Sequence, residues 1–254
     1  MALLEILSLS KRFGGVHALK CMSLSVDEGE IVGLIGPNGA GKTSFFNCIT
    51  GLVRPDAGKI FFHGGRDSLQ GLSSDQILEK GIARTFQNLR IFKNMTLLEN
   101  VAVGMHTRTH SNLWDAFLRT RCFHVEEKKV FKRGRELLEW MNLGKHGNEI
   151  AANLSYGDQK RLEIARALAS EPKLLLLDEP VAGMNPNEKK EITLLVKKIQ
   201  KKGIAVLLIE HDMKVVMPLS ERIVVMDEGQ KIAEGRPEDI QKNPRVIQAY
   251  LGGE

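Results

Sequence analysis

The chain has 254 residues, of which 43% are hydrophobic and 26% charged, and a net charge of +5. It reads as soluble and globular, long enough for one large domain or a domain with a subdomain. Cys21, Cys48 and Cys122 are odd in number and lack a Cys-x-x-Cys pairing, which excludes a disulfide framework or a zinc site and points to a reduced cytoplasmic protein.

The N-terminus carries Glu5 within its apolar stretch and has no basic region ahead of it, unlike a signal peptide. Leu3 to Leu9 and Met22 to Val26 alternate with partial period two, which predicts half-buried antiparallel strands. Between them Phe13 precedes Gly14 and Gly15. A ring here could stack on an adenine face, although an aromatic in such a place is more often core.

Glu30 to Ile35 reads as a buried strand running into Gly36-Pro37-Asn38-Gly39-Ala40-Gly41-Lys42-Thr43, and Thr43 to Ile49 as a helix leaving it. The spacing Gly, four residues, Gly-Lys-Thr makes a loop whose backbone N–H groups wrap a polyphosphate. Its glycines let the backbone approach the anion, Lys42 supplies a point charge, and the Thr43 hydroxyl can enter the shell of a magnesium ion. Ser44 continues the helix start that aims its positive end at the phosphates.

Gly51 to Gly58, with Pro55, reads as a turn, and Lys59 to His63 as a strand. Gly81 to Gln87 is a short strand ending on an amide, and Gln87 either faces a metal or attacking water or is a surface residue at a strand end. From His106 to Glu149, Trp114, Phe117, Leu118, Val130, Leu137, Leu138 and Met141 recur at helical intervals among Arg119, Arg121, Lys128, Lys129, Lys132 and Arg133. This predicts a helical subdomain inserted in an α/β core; its basic stretch is a solvated face, or else a contact for a phospholipid head group or a partner.

Leu154 to Gln159 opens a helical pattern running to Ala169. Ser155 and Gly157 stand at an N-cap and an exposed helix start, a second place where an anion could sit. Leu174 to Leu177 marks a strand buried on both faces of a parallel sheet, ending in Asp178 and Glu179. Carboxylates at such a strand end face the ligand crevice, so Asp178 is placed to hold magnesium and Glu179 to orient and deprotonate water. Ile204 to Ile209 repeats the pattern and ends in Glu210, His211 and Asp212; His211 could reach a terminal phosphate or serve structure alone. Arg222 to Asp227 and Gln230 to Ala233 read as strands, followed by a helix after Pro237 and a last short one after Asn243-Pro244. No apolar run approaches the ~18–20 residues of a membrane span, and basic residues spread along the chain argue against nucleic acid.

In this order the motifs resemble the ATP-binding cassette ATPases over essentially the whole chain. Gly36 to Thr43 is similar to the Walker A motif, Gln87 to the Q-loop, Leu154 to Gln159 to the signature, Leu174 to Glu179 to Walker B, Ala182 to Asn185 to the D-loop and His211 to the H-loop. A small-molecule kinase would share Gly36 to Thr43 but would need neither the signature helix nor the histidine strand. The segments Arg84-Thr85-Phe86-Gln87, Leu154-Ser155-Tyr156-Gly157-Asp158-Gln159, Ala182-Gly183-Met184-Asn185-Pro186 and Ala249-Tyr250-Leu251-Gly252 resemble cassettes of high-affinity branched-chain amino acid uptake. Cassettes for urea or amide uptake or for lipid export are of similar build.

The resemblance implies a P-loop NTPase core with a mainly parallel sheet, an N-terminal antiparallel β subdomain and a helical subdomain at about residues 88–168. It implies ATP and Mg2+ as cofactors. Phe13 and Gly36 to Ser44 would bind nucleotide, Thr43, Gln87 and Asp178 the metal, and Glu179, His211 and Gln87 would serve catalysis. Ser155 and Gly157 would touch ATP held by a second cassette in a homo- or heterodimer. Membrane permease subunits and, indirectly, a solute-binding protein are the implied partners, with the cassette on the inner face of the cell membrane. Four positions depart from the family pattern: Phe13 for Tyr, Tyr156 for Gly, Asp158 for Gln or Glu, and Asn185 for Asp.

Overall fold

The computed structural model describes residues 1–108 and 121–251. Trp114, Phe117, Leu118 and Arg119 of the predicted insertion, and Gly252 of the C-terminal ending, lie outside them. The chain divides into two compact units, residues 1–87 with 173–254 and residues 88–172.

In the first unit, strands β1 (Ala2–Phe13) and β2 (Val16–Asp27) form an antiparallel hairpin from Ala2↔Asp27 to Phe13↔Val16. With β4 (Ala57–Phe62) and β5 (Asp67–Ser68) they make a four-stranded sheet of order β2-β1-β4-β5. Both hairpin strands outrun the alternating stretches seen in sequence. Their outer ends are largely exposed, Phe13 and Val16 included, and are held by cross-strand pairing and by Asp56, which accepts from Lys11 Nζ at 2.8 Å and Arg12 N at 2.7 Å.

A six-stranded sheet has the order β10-β9-β3-β8-β7-β6. Its members are β3 (Ile31–Ile35), β6 (Ile82–Arg84), β7 (Leu174–Asp178), β8 (Ala205–Ile209), β9 (Arg222–Asp227) and β10 (Gln230–Gly235). All pairings are parallel except β9 with β10. β3, β7 and β8 are buried along their whole length, as strands covered on both faces must be. Burying each leucine of Leu174 to Leu177 contributes about 1.5–3 kcal/mol. That burial is what holds the two carboxylates at the end of β7 in place.

Helix α1 (Lys42–Ile49) leaves the loop after β3 and sinks Phe45, Phe46, Cys48 and Ile49 into a core shared by both sheets. α2 (Ser74–Glu79) starts on a capping box made by Ser73 and Gln76.

The second unit holds α3 (Leu97–Gly104), α4 (Arg121–Trp140) and α5 (Tyr156–Leu168). α3 begins on a capping box of Thr96 and Glu99. The buried Asn100 ties the preceding loop to it, accepting from Phe92 N at 2.8 Å and donating to Phe92 O and Thr96 O. The last turn of α4 buries Leu138, while Lys128, Lys129, Lys132 and Arg133 are partly or fully exposed.

Back in the first unit, α6 (Pro186–Lys201), α7 (Met213–Leu219), α8 (Pro237–Gln241) and α9 (Pro244–Leu251) complete the elements. α6 had no counterpart in the sequence reading, yet its cues are present: Asn185 accepts from Asn187 N and Glu188 N, with Pro186 at the first helical position. Asn185, read as a D-loop departure, is therefore a helix cap. Among the described residues no helix is long and apolar enough to cross a membrane.

Candidate active site

A cleft of about 620 Å3 opens over the C-terminal end of the parallel sheet, lined by Asn38 to Ser44, Gln87, Glu179 and Ile209, with Val16, His17, Lys20 and Glu228 along one side. Its volume is in the range of small-ligand sites. Gly36 to Gly41 bridges β3 and α1, and Gly41 is the helix N-cap in the left-handed region at φ 99°. A Cβ at Gly41 would stand 2.3 Å from the Ala18 carbonyl oxygen, so only glycine fits there. The loop is braced from outside: Gly229 N donates to Ala40 O at 3.0 Å, while Gly229 O accepts from Lys20 N at 2.8 Å.

Lys42 Nζ donates to the carbonyls of Gly36 at 2.7 Å and Pro37 at 2.8 Å. Burial lowers its pKa, opposed by the nearby carboxylates of Glu179 and Asp178. A half-buried cation whose hydrogen bonds, among the described residues, go to neutral carbonyls gains from an arriving polyphosphate, which is the chemistry expected of this lysine. Thr43 is exposed at the head of the helix.

Asp178, with its side chain 4% exposed, accepts from Arg84 Nη2 at 2.8 Å. Glu179 follows with φ 48°, a left-handed conformation that costs about 1 kcal/mol or more in a non-glycine residue and that clusters at functional sites. Its backbone N–H donates to Ile209 O at 2.9 Å, where β8 ends. Its carboxylate accepts from Gln87 Nε2 at 3.1 Å and has His211 Nδ1 3.8 Å away. Three residues that are far apart in sequence, Gln87, Glu179 and His211, are thus gathered at one edge of the cleft.

Beneath His211, Glu210 is 1% exposed and accepts from Val181 N, His211 N and Asp212 N. Burial raises its pKa, and those three backbone bonds oppose the rise. Glu210 fixes the strand end that presents His211. Tyr250, in the last helix, takes a hydrogen bond from the Gly36 backbone, and burial pushes its phenol up to about 12.

Phe13 does not line the cleft. It sits 47% exposed beside the hairpin turn with Lys11 Nζ 5.5 Å from its ring centre, and its cross-strand partner Val16 and neighbour His17 line the cleft instead. Sequence reasoning missed His17, Lys20, Glu228 and Arg84. The first three become cleft residues only through the hairpin and the β9–β10 turn.

In the helical unit, Ser155 caps α5, with its Oγ accepting from Asp158 N at 3.2 Å and donating to Asp158 Oδ2 at 2.9 Å. Gly157 is buried within the first turn, and Tyr156 is 43% exposed at its start.

Residues 19–182 match the family model described as ABC transporter, and residues 230–254 match the model described as branched-chain amino acid ATP-binding cassette transporter. The chain belongs to the ABC transporter ATPase family. It is 45% identical over 251 residues to the high-affinity branched-chain amino acid transport ATP-binding protein BraF of Pseudomonas aeruginosa, covering 98% of both chains. To LivG of Escherichia coli, a protein of the same description, it is 46% identical over 252 residues, again covering 98% of each. Among solved structures, a nucleotide-free ATP-binding cassette from an ABC transporter aligns with TM-score 0.87 at 33% identity over the whole of both chains. A dimeric bacterial ABC transporter cassette aligns with TM-score 0.77 at 27% identity, covering 92% of this chain and 98% of that one.

The donor set suits a hard divalent cation. The Thr43 hydroxyl and the Asp178 carboxylate offer oxygen donors, and among the described residues no three His, Cys, Asp or Glu side chains converge on one point. A donor pair of this kind suits a metal bound together with substrate phosphates rather than one in an all-protein cage.

Proposed function

We propose that this cassette hydrolyses MgATP to power an importer of branched-chain amino acids, as one of two cassettes bound to permease subunits on the inner face of the membrane. The observation that carries the solute class is the match of residues 230–254 to the branched-chain cassette model, joined to 45–46% identity with transport proteins of that description.

In this mechanism the backbone N–H groups of Gly39 to Thr43 and the Lys42 ammonium bind the phosphates. Mg2+, held by Thr43 and Asp178, would neutralise phosphate charge. Glu179 accepts the proton of the attacking water, and Gln87 and His211, both beside its carboxylate, orient that water and the γ-phosphate. Phe13, whose cross-strand partner Val16 lines the cleft, stacks on the base. Ser155 and Gly157 complete the site of the partner cassette, so an isolated chain turns over slowly. The helical unit carries an open groove of about 420 Å3 lined by Met95, Glu99, Ala102, Val103 and His106, which suits a permease segment.

The test is to purify the chain with its co-encoded membrane subunits and measure ATP-driven uptake of leucine into vesicles. Leucine accumulation that requires ATP is expected. Transport of a different solute alone would overturn the substrate class and leave the ATPase standing.

A further inference from the structure

Arg84 stands at the end of β6, with its side chain 5% exposed, and touches more of the nucleotide machinery than its place in the chain implies. Nη2 donates to Asp178 Oδ2 at 2.8 Å, and Nη1 donates to Asn47 Oδ1 at 2.7 Å and Thr50 Oγ1 at 3.3 Å. Its Cζ lies 5.3 Å from the Phe46 ring centre and 5.0 Å from that of Phe86. Nε is buried without an acceptor. A residue kept only to fill space would not bury a permanent charge with one donor unmet. What the burial secures is a fixed guanidinium between two elements.

Those two elements carry the two magnesium ligands. Thr43 and Asn47 on α1 and Thr50 at its C-cap are spaced i, i+4 and i+7 and so share one face of that helix. One arm of the guanidinium fork grips that face, and the other grips the carboxylate at the end of β7. We propose that Arg84 is a positioning residue for magnesium: it sets the separation of Thr43 from Asp178 and engages Oδ2, reserving Oδ1 for the metal's water shell. Among the described residues no hydrogen bond to Oδ1 competes for that role. The Phe46 and Phe86 rings restrict the guanidinium, so the fork cannot swing off its arms without disturbing these cation–π contacts. Lysine could match the charge but not the two-armed geometry.

This inference rests on the MgATP reading above, and its test separates the two. Binding of trinitrophenyl-ATP is measured in EDTA and across a Mg2+ titration for the parent, Arg84→Met, Arg84→Lys and the double variant Asn47→Ala/Thr50→Val. In Arg84→Met the Mg2+ midpoint is expected to rise about 10-fold or more, as when a partner of a metal ligand is removed, while affinity in EDTA stays within about threefold. Arg84→Lys is expected to recover part of the shift. The double variant, which cuts the α1 arm together with the bond from Thr50 Oγ1 to Phe46 O and leaves the Asp178 arm whole, should raise the midpoint about threefold, the worth of one or two hydrogen bonds.

A midpoint within twofold of the parent in folded Arg84→Met overturns the proposal. So does an equal loss of affinity with and without Mg2+, which a merely structural role would produce. If Arg84→Met does not fold, the same two criteria applied to Arg84→Lys and to the double variant decide. A parent whose affinity ignores Mg2+ overturns the MgATP reading itself, and the Arg84 role with it.

Discussion

Ser155 donates its hydroxyl proton to Asp158 Oδ2 at 2.9 Å and in return accepts the Asp158 backbone N–H at 3.2 Å. The pair makes a self-contained cap at the start of the signature helix. Asp158 is also paired with Arg161, 3.5 Å away.

In the proposed mechanism the cap has a cost for function. A serine hydroxyl that donates to its own helix cannot donate to a γ-phosphate at the same time, and the carboxylate adds a negative charge beside it. Asp158→Gln is expected to raise ATP turnover of the assembled cassette pair up to about tenfold, equivalent to roughly 1.4 kcal/mol of the barrier. Loss of the acidic side chain from the first turn of α5 should reduce stability by about 0.3–1 kcal/mol. Steady-state ATPase rates and urea melts check both; a rate at or below the parent's refutes the competition.

Glu179→Gln keeps the shape of the carboxylate but removes the proposed base. Hydrolysis in the assembled transporter should fall about 100-fold or more, the usual scale for a general base, while ATP binding is retained. Turnover near the parent's would mean that water is activated elsewhere. Native-mass measurement should also find the variant held as a dimer with ATP.

Gly41→Ala sets a Cβ 2.3 Å from the Ala18 carbonyl oxygen in a left-handed conformation. The loop must distort, and nucleotide affinity is expected to drop at least about 10-fold, with a strain of roughly 1–3 kcal/mol. Equilibrium binding of ATP reads it. Gly39, whose added Cβ meets nothing within 4 Å, is the control, since Gly39→Ala adds backbone strain alone at φ 82°.

Glu210 gives a pH-dependence whose sign follows from burial. Its folded pKa lies above the ordinary carboxylate value, so the native protein holds a proton that the unfolded chain has released. Stability contributed by this group is therefore present at low pH and falls as pH rises from the ordinary value through the raised one. In Glu210→Gln that part of the slope disappears. Comparing urea midpoints of parent and variant from pH 4 to pH 7 tests it; parallel curves would show that the native pKa is not raised.

Much of this protein was legible before folding because its ligand is gripped by backbone. A loop that must approach phosphate closely has to be written in glycines at fixed spacing, so Gly36 to Thr43 announces itself in sequence. The apolar run Leu174 to Leu177 likewise marks a strand covered on both faces, and the abrupt Asp178-Glu179 marks its ligand end. Helix α6 was missed although Asn185-Pro186 begins it, because a cap motif is short and its apolar face, Ile192, Leu195, Val196 and Ile199, is interrupted by lysines.

What the sequence alone determined is the set of groups on offer: a glycine-rich loop of phosphate-binding spacing, two carboxylates at a strand's end and a histidine at another's, each set by local spacing or by a strand's buried run. Tertiary structure decided who holds them. Arg84 meets Asp178 across 94 residues only because β6 and β7 are parallel neighbours, and Gln87 reaches Glu179 for the same reason. The parallel sheet aligns the ends of strands that lie far apart in the chain, and no local pattern can encode that alignment.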